Sequence, residues 1–267
     1  MTIKLFSWGY WGWGNATRQL VESADIAERV RGFQPPMFVD TRLRRQGRAK
    51  GFVGDAFRDV VGPTRYCWMK DLGNLAVAKG ERGVEIKNPA AVADLLELAS
   101  CTARENRRVI FYCACEFPWS GGELACHRHE IANLLLTHAR EIALPIQIVE
   151  WPGDEPSEAS IEVDGKLFSA IMRGRTSVPF GHERLSDFAG LAWGSLLTLR
   201  SEPDGRTGFA SVGPARFAAT KAGKEYWYLP VLEAADPQAS KDLLLESAQR
   251  FRAKHRLNER NSEWGGE

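Results

Sequence analysis

The chain has almost no net charge. Its 35 Lys and Arg against 34 Asp and Glu leave +1 over 267 residues. A global field that recruits nucleic acid or an acidic membrane is therefore excluded, and any polyanion must be met by a local patch. Long apolar runs are also missing. None approaches the length of a membrane span, and Met-Thr-Ile-Lys-Leu-Phe-Ser at the N-terminus lacks the apolar core of a signal peptide. There are no repeats and no low-complexity tracts. Cysteine is scarce: 5 residues, an odd number, with three crowded into one short stretch. That argues against a disulfide framework and for a site in a reduced compartment. The expectation is a cytoplasmic protein without a membrane partner, long enough for one large domain or two modest ones.

What is present is an alternation of short apolar strands and amphipathic helices. Lys4–Trp8, Met37–Asp40, Tyr66–Met69, Val109–Tyr112 and Pro145–Glu150 read as buried strands. Helices are expected after Asn15, over Asp55–Val61, from Asn88-Pro89 and after Cys126. This order predicts an α/β fold: a doubly wound, mostly parallel sheet with flanking helices over 1–152. From 153 to 267 the pattern becomes β-rich and antiparallel. Asp164-Gly165, Pro203-Asp-Gly205 and Gly223-Lys224 read as hairpin turns, and Asp236 to Arg256 as a terminal helix that buries Leu244, Ala248 and Phe251. The tail from Asn258 is expected to fray.

The stretch that could carry chemistry runs from Phe111 to Glu130. A strand enters it, a Pro/Gly-broken loop follows, and a helix opens on Cys126, His127 and Arg128. The N-terminus of a helix bears unsatisfied N–H groups and partial positive charge, so it favours anions and thiolates. Cys126 is the candidate nucleophile, His127 or Glu116 the acid or base, and Cys113 a further thiol of the site. A second cluster follows the second strand: Asp40 as acid, base or orienting carboxylate, and Arg42, Arg45 and Arg48, with Arg128, as phosphate holders. Strand ends are where open α/β sheets bind ligands. The glycine-aromatic loop Gly9–Gly14 offers Tyr10, Trp11 and Trp13 for base stacking, and Arg173, Arg175 and Trp227 extend such a surface. Cys113, Cys115, Cys126 and His127 form an alternative metal set. Adjacent residues at a helix start diverge, which makes joint ligation by Cys126 and His127 awkward. Cys67 and Cys101 read as core filler.

Several of these motifs, in this order, resemble the family catalogued as domain of unknown function 488. They are Gly9-Tyr10-Trp11-Gly12, Val39-Asp40-Thr41-Arg42-Leu43 with Gly51-Phe52, Leu72-Gly73-Asn74, and Cys113 followed by Cys126-His127-Arg128. The likeness covers residues 3 to 151. The loop between Cys115 and Cys126 is longer than the family's, and Arg45-Gln46-Gly47 replaces its usual Ser or Pro. The resemblance implies a compact cytoplasmic α/β fold with a polar strand-end cleft and adds Asn74 to the substrate-binding candidates. It supplies no reaction and no cofactor. The functional expectation is an enzyme acting on a phosphate-containing substrate, a nucleotide or nucleic acid. The alternatives are a non-catalytic nucleic-acid or nucleotide binding module and a metal-stabilised structural protein.

Overall fold

The structure is a computed structural model, which describes residues 2–115, 119–120, 123–124, 126–153, 156–202, 204–238 and 241–254. Glu116 and the tail from Asn258 lie outside the described residues. The chain divides into two compact units, one running to Trp151 and the other from Pro152 to Lys254.

The first unit alternates strand and helix. Its strands are β1 (Ile3–Gly9), β2 (Gln34–Asp40), β3 (Tyr66–Trp68), β4 (Arg107–Cys113), the two-residue β5 (Trp119–Ser120) and β6 (Glu123–Leu124), and β7 (Ile146–Glu150). Its helices are α1 (Thr17–Val30), α2 (Ala56–Val61), α3 (Leu75–Lys79), α4 (Val92–Arg104) and α5 (His127–Glu141). Five strands form one sheet in the order β3-β2-β4-β1-β7, every pairing parallel. β5 and β6 pair antiparallel as a small hairpin.

Apolar runs make these strands because both faces of the sheet are covered. Successive side chains point to opposite faces, so β4 splits cleanly. Val109 and Phe111 join the core that α4 and α5 close with Leu95, Ile131 and Leu135. Ile110 and Tyr112 join the core that α1 and α2 close with Leu20, Val21, Phe57 and Val61. Each fully buried Leu or Phe contributes about 1.5–3 kcal/mol through loss of water contact. The same alternation decides the site. Cys113 follows Val109 and Phe111 onto the α5 face, and Asp40 follows Phe38 onto the α1–α2 face.

The second unit contains β8 (Glu158–Asp164), α6 (Gly165–Met172), β9 (Ser177–Gly181), α7 (Leu185–Phe188), β10 (Ser195–Glu202), β11 (Thr207–Val212), β12 (Arg216–Lys221), β13 (Lys224–Ala235) and α8 (Lys241–Lys254). The main path of its sheet runs β12-β13-β11-β10-β8, with β9 also paired to β13. Only β8–β10 is parallel. β10 and β11 pair antiparallel across Asp204-Gly205, and β12 and β13 across the turn at 222–223, as expected. At the second, Ala222 and Gly223 both take positive φ, 49° and 74°, which suits a tight hairpin. Asp164-Gly165 behaves differently. The Asp164 carboxylate accepts the amides of Lys166 and Leu167, so it caps α6 and no hairpin forms there. Phe168 and Ile171 give that segment a helical apolar face. α8 buries Leu244 and Ala248, and Phe251 stacks on Trp193 at 5.4 Å.

Candidate functional site

Two polar centres sit at the carboxyl ends of β2 and β4, one on each face of the sheet. The first is built around a thiol pair. Cys113 ends β4, and Cys126 is the N-cap of α5 with extended backbone, φ −141° and ψ 135°. Their sulfurs lie 3.1 Å apart. Both side chains are buried, at 1% and 2% exposure. The Cys126 sulfur accepts the backbone N–H of Arg128 at 3.5 Å, and the Cys113 sulfur accepts that of Cys115 at 3.4 Å.

His127 opens the helix beside them. Its Nε2 is 3.0 Å from the Thr41 carbonyl oxygen, which can only accept, so Nε2 carries the proton. Nδ1 is then the lone-pair nitrogen, and it lies 4.0 Å from the Cys126 sulfur. The extended backbone of Cys126 reconciles this with the divergence expected of adjacent helical residues. Cys126 stands outside the helical turn, so its sulfur and the His127 ring converge.

The two thiols are driven apart in acidity. A hydrogen bond from Cys113, then one from Cys115, holds Cys126 well below the usual thiol range; the Arg128 charge adds to this against the opposing effect of burial. Burial pushes Cys113 well above that range, and its bonds to Cys115 and Cys126 act in the same direction. For Cys115 the bond to Cys113 lowers the value, but Cys126 and burial outweigh it and raise it to about 11. Cys113 is thus the donor of the pair and the Cys126 sulfur the acceptor.

Arg128 is the floor of this centre. It is fully buried, and Nη1 donates to Glu150 Oε1 at 2.5 Å and to Ser7 Oγ at 2.9 Å. Nη2 donates to the Cys115 carbonyl at 2.9 Å. Its expected role as a phosphate holder therefore gives way to an internal ion pair that also holds Cys115, two residues past the end of β4.

On the other face, Asp40 and Arg42 close on each other. Arg42 donates to Asp40 from Nε at 2.8 Å, from Nη2 at 2.5 Å and from its own amide at 3.0 Å. It also reaches Tyr10 Oη and the Phe52 carbonyl, while Tyr66 donates to Asp40 at 3.1 Å. Asp40 is fully buried and Arg42 is 7% exposed. The sequence expectation of a ligand-facing Arg42 and a catalytic Asp40 is corrected here: an acid at position i and an Arg at i+2 just past a strand chelate each other. Residue alternation puts Asp40 and Cys113 on opposite faces of the sheet.

The remaining candidates divide. Tyr10 is buried and stacked on Phe52 at 3.9 Å, so it is core and does not stack a base. Trp227 is likewise fully buried. Trp11 is 63% exposed. Arg45 pairs with Asp55 and lies over the Trp68 ring at 4.4 Å. Arg48 is exposed. Asn74 caps α3 through Ala76 N and ties down Glu85 N and the Gly83 carbonyl, a structural task. Cys67 and Cys101 are half-buried.

Sequence reasoning passed over Thr41, Ser7, Glu150 and Tyr66. Glu150 had a signal: it ends an apolar strand, where a carboxylate needs a buried partner. For a metal, the donor atoms of Cys113, Cys126 and His127 all lie within 4.8 Å of one another. A tetrahedral zinc with Zn–S of about 2.3 Å spaces two sulfurs by about 3.8 Å, whereas this pair is at 3.1 Å. Two thiols in direct contact suit the spacing better. Among the described residues, no helix is long and apolar enough to cross a membrane. No family model, curated protein or solved structure matches the chain.

Proposed function

We propose that the first unit is an enzyme whose reaction is carried by the Cys126 thiolate, with His127 Nδ1 as the proton-transfer group and Cys113 as the donor that stabilises the thiolate. The observation that carries this reading is Cys126 at the N-cap of α5, 3.1 Å from a second buried thiol. A thiolate there gains the helix-end amides and the field of Arg128. The phosphate-bearing substrate, nucleotide or nucleic acid, is part of the proposal and rests on less. Arg48 is exposed and Arg45 is partly so, while Arg42 and Arg128 are closed in ion pairs. The likeness to the domain of unknown function 488 family is also proposed, on its motifs alone.

The test is alkylation over a pH series, with the modified cysteines mapped by mass spectrometry. Cys126 should react below its ordinary titration range near about 8.5, ahead of the other four cysteines. Inorganic phosphate should slow the reaction if the substrate is a phosphate. Reaction at Cys126 only after unfolding would end the nucleophile assignment. Reaction indifferent to phosphate would end the phosphate assignment alone.

A further inference from the structure

The contact between Cys113 and Cys126 has no task in the reading above beyond donating one hydrogen bond. Thiols 3.1 Å apart need to close by only about 1 Å to reach the disulfide length of about 2.05 Å. Cys113 sits at the end of β4, where it pairs with Gly9 of β1, and Cys126 stands one residue outside α5 in extended backbone. Burial restricts which oxidant can reach them. With 1% and 2% exposure, the pair suits an oxidant close to water in size.

We infer that Cys126 and Cys113 form a reversible disulfide in response to a hydroperoxide, with Cys126 as the peroxide-reactive sulfur and Cys113 as the resolving one. This rests on the thiolate reading of Cys126 and describes the regulation of that same site. The Cys126 thiolate attacks one peroxide oxygen; an S–O bond forms, the O–O bond breaks, and hydroxide leaves, to be protonated to water. Cys126 is now a sulfenic acid. Cys113 gives up its proton and attacks the Cys126 sulfur. An S–S bond forms, the S–O bond breaks, and a second water leaves. In sum, two thiols and one hydrogen peroxide become one disulfide and two waters. The His127 ring, with a nitrogen within 4.8 Å of the Cys113 sulfur, is the group that takes the Cys113 proton. While the disulfide persists, Cys126 has no thiolate and the proposed reaction stops.

This pairing outcompetes two others in the same cluster. Cys113–Cys115 would link residues two apart, and the Cys115 side chain bonds both other thiols. Cys115 is the most exposed of the three, yet its thiol holds its proton to about 11, which leaves little thiolate at neutral pH.

The experiment treats the reduced full chain with near-stoichiometric hydrogen peroxide, blocks remaining thiols, and maps linked peptides by mass spectrometry. The expected result is a Cys113–Cys126 cross-link, loss of these two thiols together, and their recovery with dithiothreitol. In Cys113→Ser the cross-link should vanish and a Cys126 sulfenic acid should accumulate, trapped by a cyclic dione. Circular dichroism checks that this variant is folded, and the wild-type mapping stands without it. Three results would overturn the inference: a cross-link through Cys115, oxidation of Cys126 to the sulfinic acid in wild type without a cross-link, or a tightly held equivalent of metal on the purified protein that blocks peroxide. If Cys126 alkylates early but resists peroxide, the regulation fails and the nucleophile stands. If it resists both, the two readings fall together.

Discussion

The two units bury polarity in opposite ways. The first holds Glu28, Asp40, Arg42, Arg108, Arg128 and Glu150 in its interior, paired as Glu28–Arg108, Asp40–Arg42 and Glu150–Arg128. In the second, the buried polar side chains among the described residues are serines, Ser195, Ser201 and Ser211, and its core is Phe, Leu, Val and Trp227. Buried ion pairs are poor sources of net stability, because desolvation offsets their attraction. A unit that carries several of them at strand ends is organised for something besides stability. The second unit keeps its described ionisable side chains out of the buried core.

The contrast can be broken most forcefully at Arg128. Arg128→Ala takes from buried Glu150 its ion-pair partner, and should cost about 3–5 kcal/mol. Hydrogen exchange of the β1 and β7 amides would show it, with the second unit unaffected. Replacing both partners, Arg128→Met with Glu150→Leu, should recover most of the loss. If it does not, the pair is a stabilising element and the contrast dissolves. The matching change in the second unit is Leu244→Ala on α8, at 1% exposure. There the loss should be about 2–4 kcal/mol, purely from lost burial and a cavity, with no dependence on pH. A cost well below 1 kcal/mol would mean that α8 is not held by its apolar face.

The smallest effect concerns Tyr66, and it sharpens the comparison through pH. Burial, then the Asp40 charge, raises its hydroxyl to about 12. The folded state therefore keeps this proton longer than the unfolded chain, whose tyrosines titrate near about 10. The stabilisation is fully present below pH of about 10 and is lost as pH rises toward 12. The first unit should weaken across that window, followed by denaturant midpoints at several pH values. Tyr66→Phe should lower neutral-pH stability by about 1–2 kcal/mol, because Asp40 loses a hydrogen bond, and should flatten the alkaline slope. An unchanged slope would place the titration elsewhere.

The strands of the first unit were legible because parallel strands covered on both faces read as continuous apolar runs, as Val109–Tyr112 does. The start near Asn88-Pro89 was legible through cap chemistry, since Asn88 accepts the Ala90 amide. Asp164-Gly165 misled because one dipeptide serves both as hairpin turn and as helix cap; the spacing of Phe168 and Ile171 decides between them. The thiol centre was half legible. A strand end and a helix start mark Cys113 and Cys126, but their contact depends on Cys126 standing outside the helix. The second cluster was misread because sequence shows that Asp40 and Arg42 are near each other without showing that they satisfy each other. Local chelation consumes the charges that make a run of arginines look like a ligand site.

Cys126 as a helix cap carries one more consequence. Ser, Thr, Asp and Asn are the residues that cap helices well, and sulfur is a weak acceptor, here 3.5 Å from the Arg128 amide. Cys126→Ser should therefore leave α5 at least as firmly started as the native chain, by up to about 1 kcal/mol in thermal unfolding, while abolishing every reaction at that sulfur. A fall in stability would show that the sulfur packs better than it caps. Otherwise, position 126 is one where the better structural residue lies a single atom away, and the chain forgoes it.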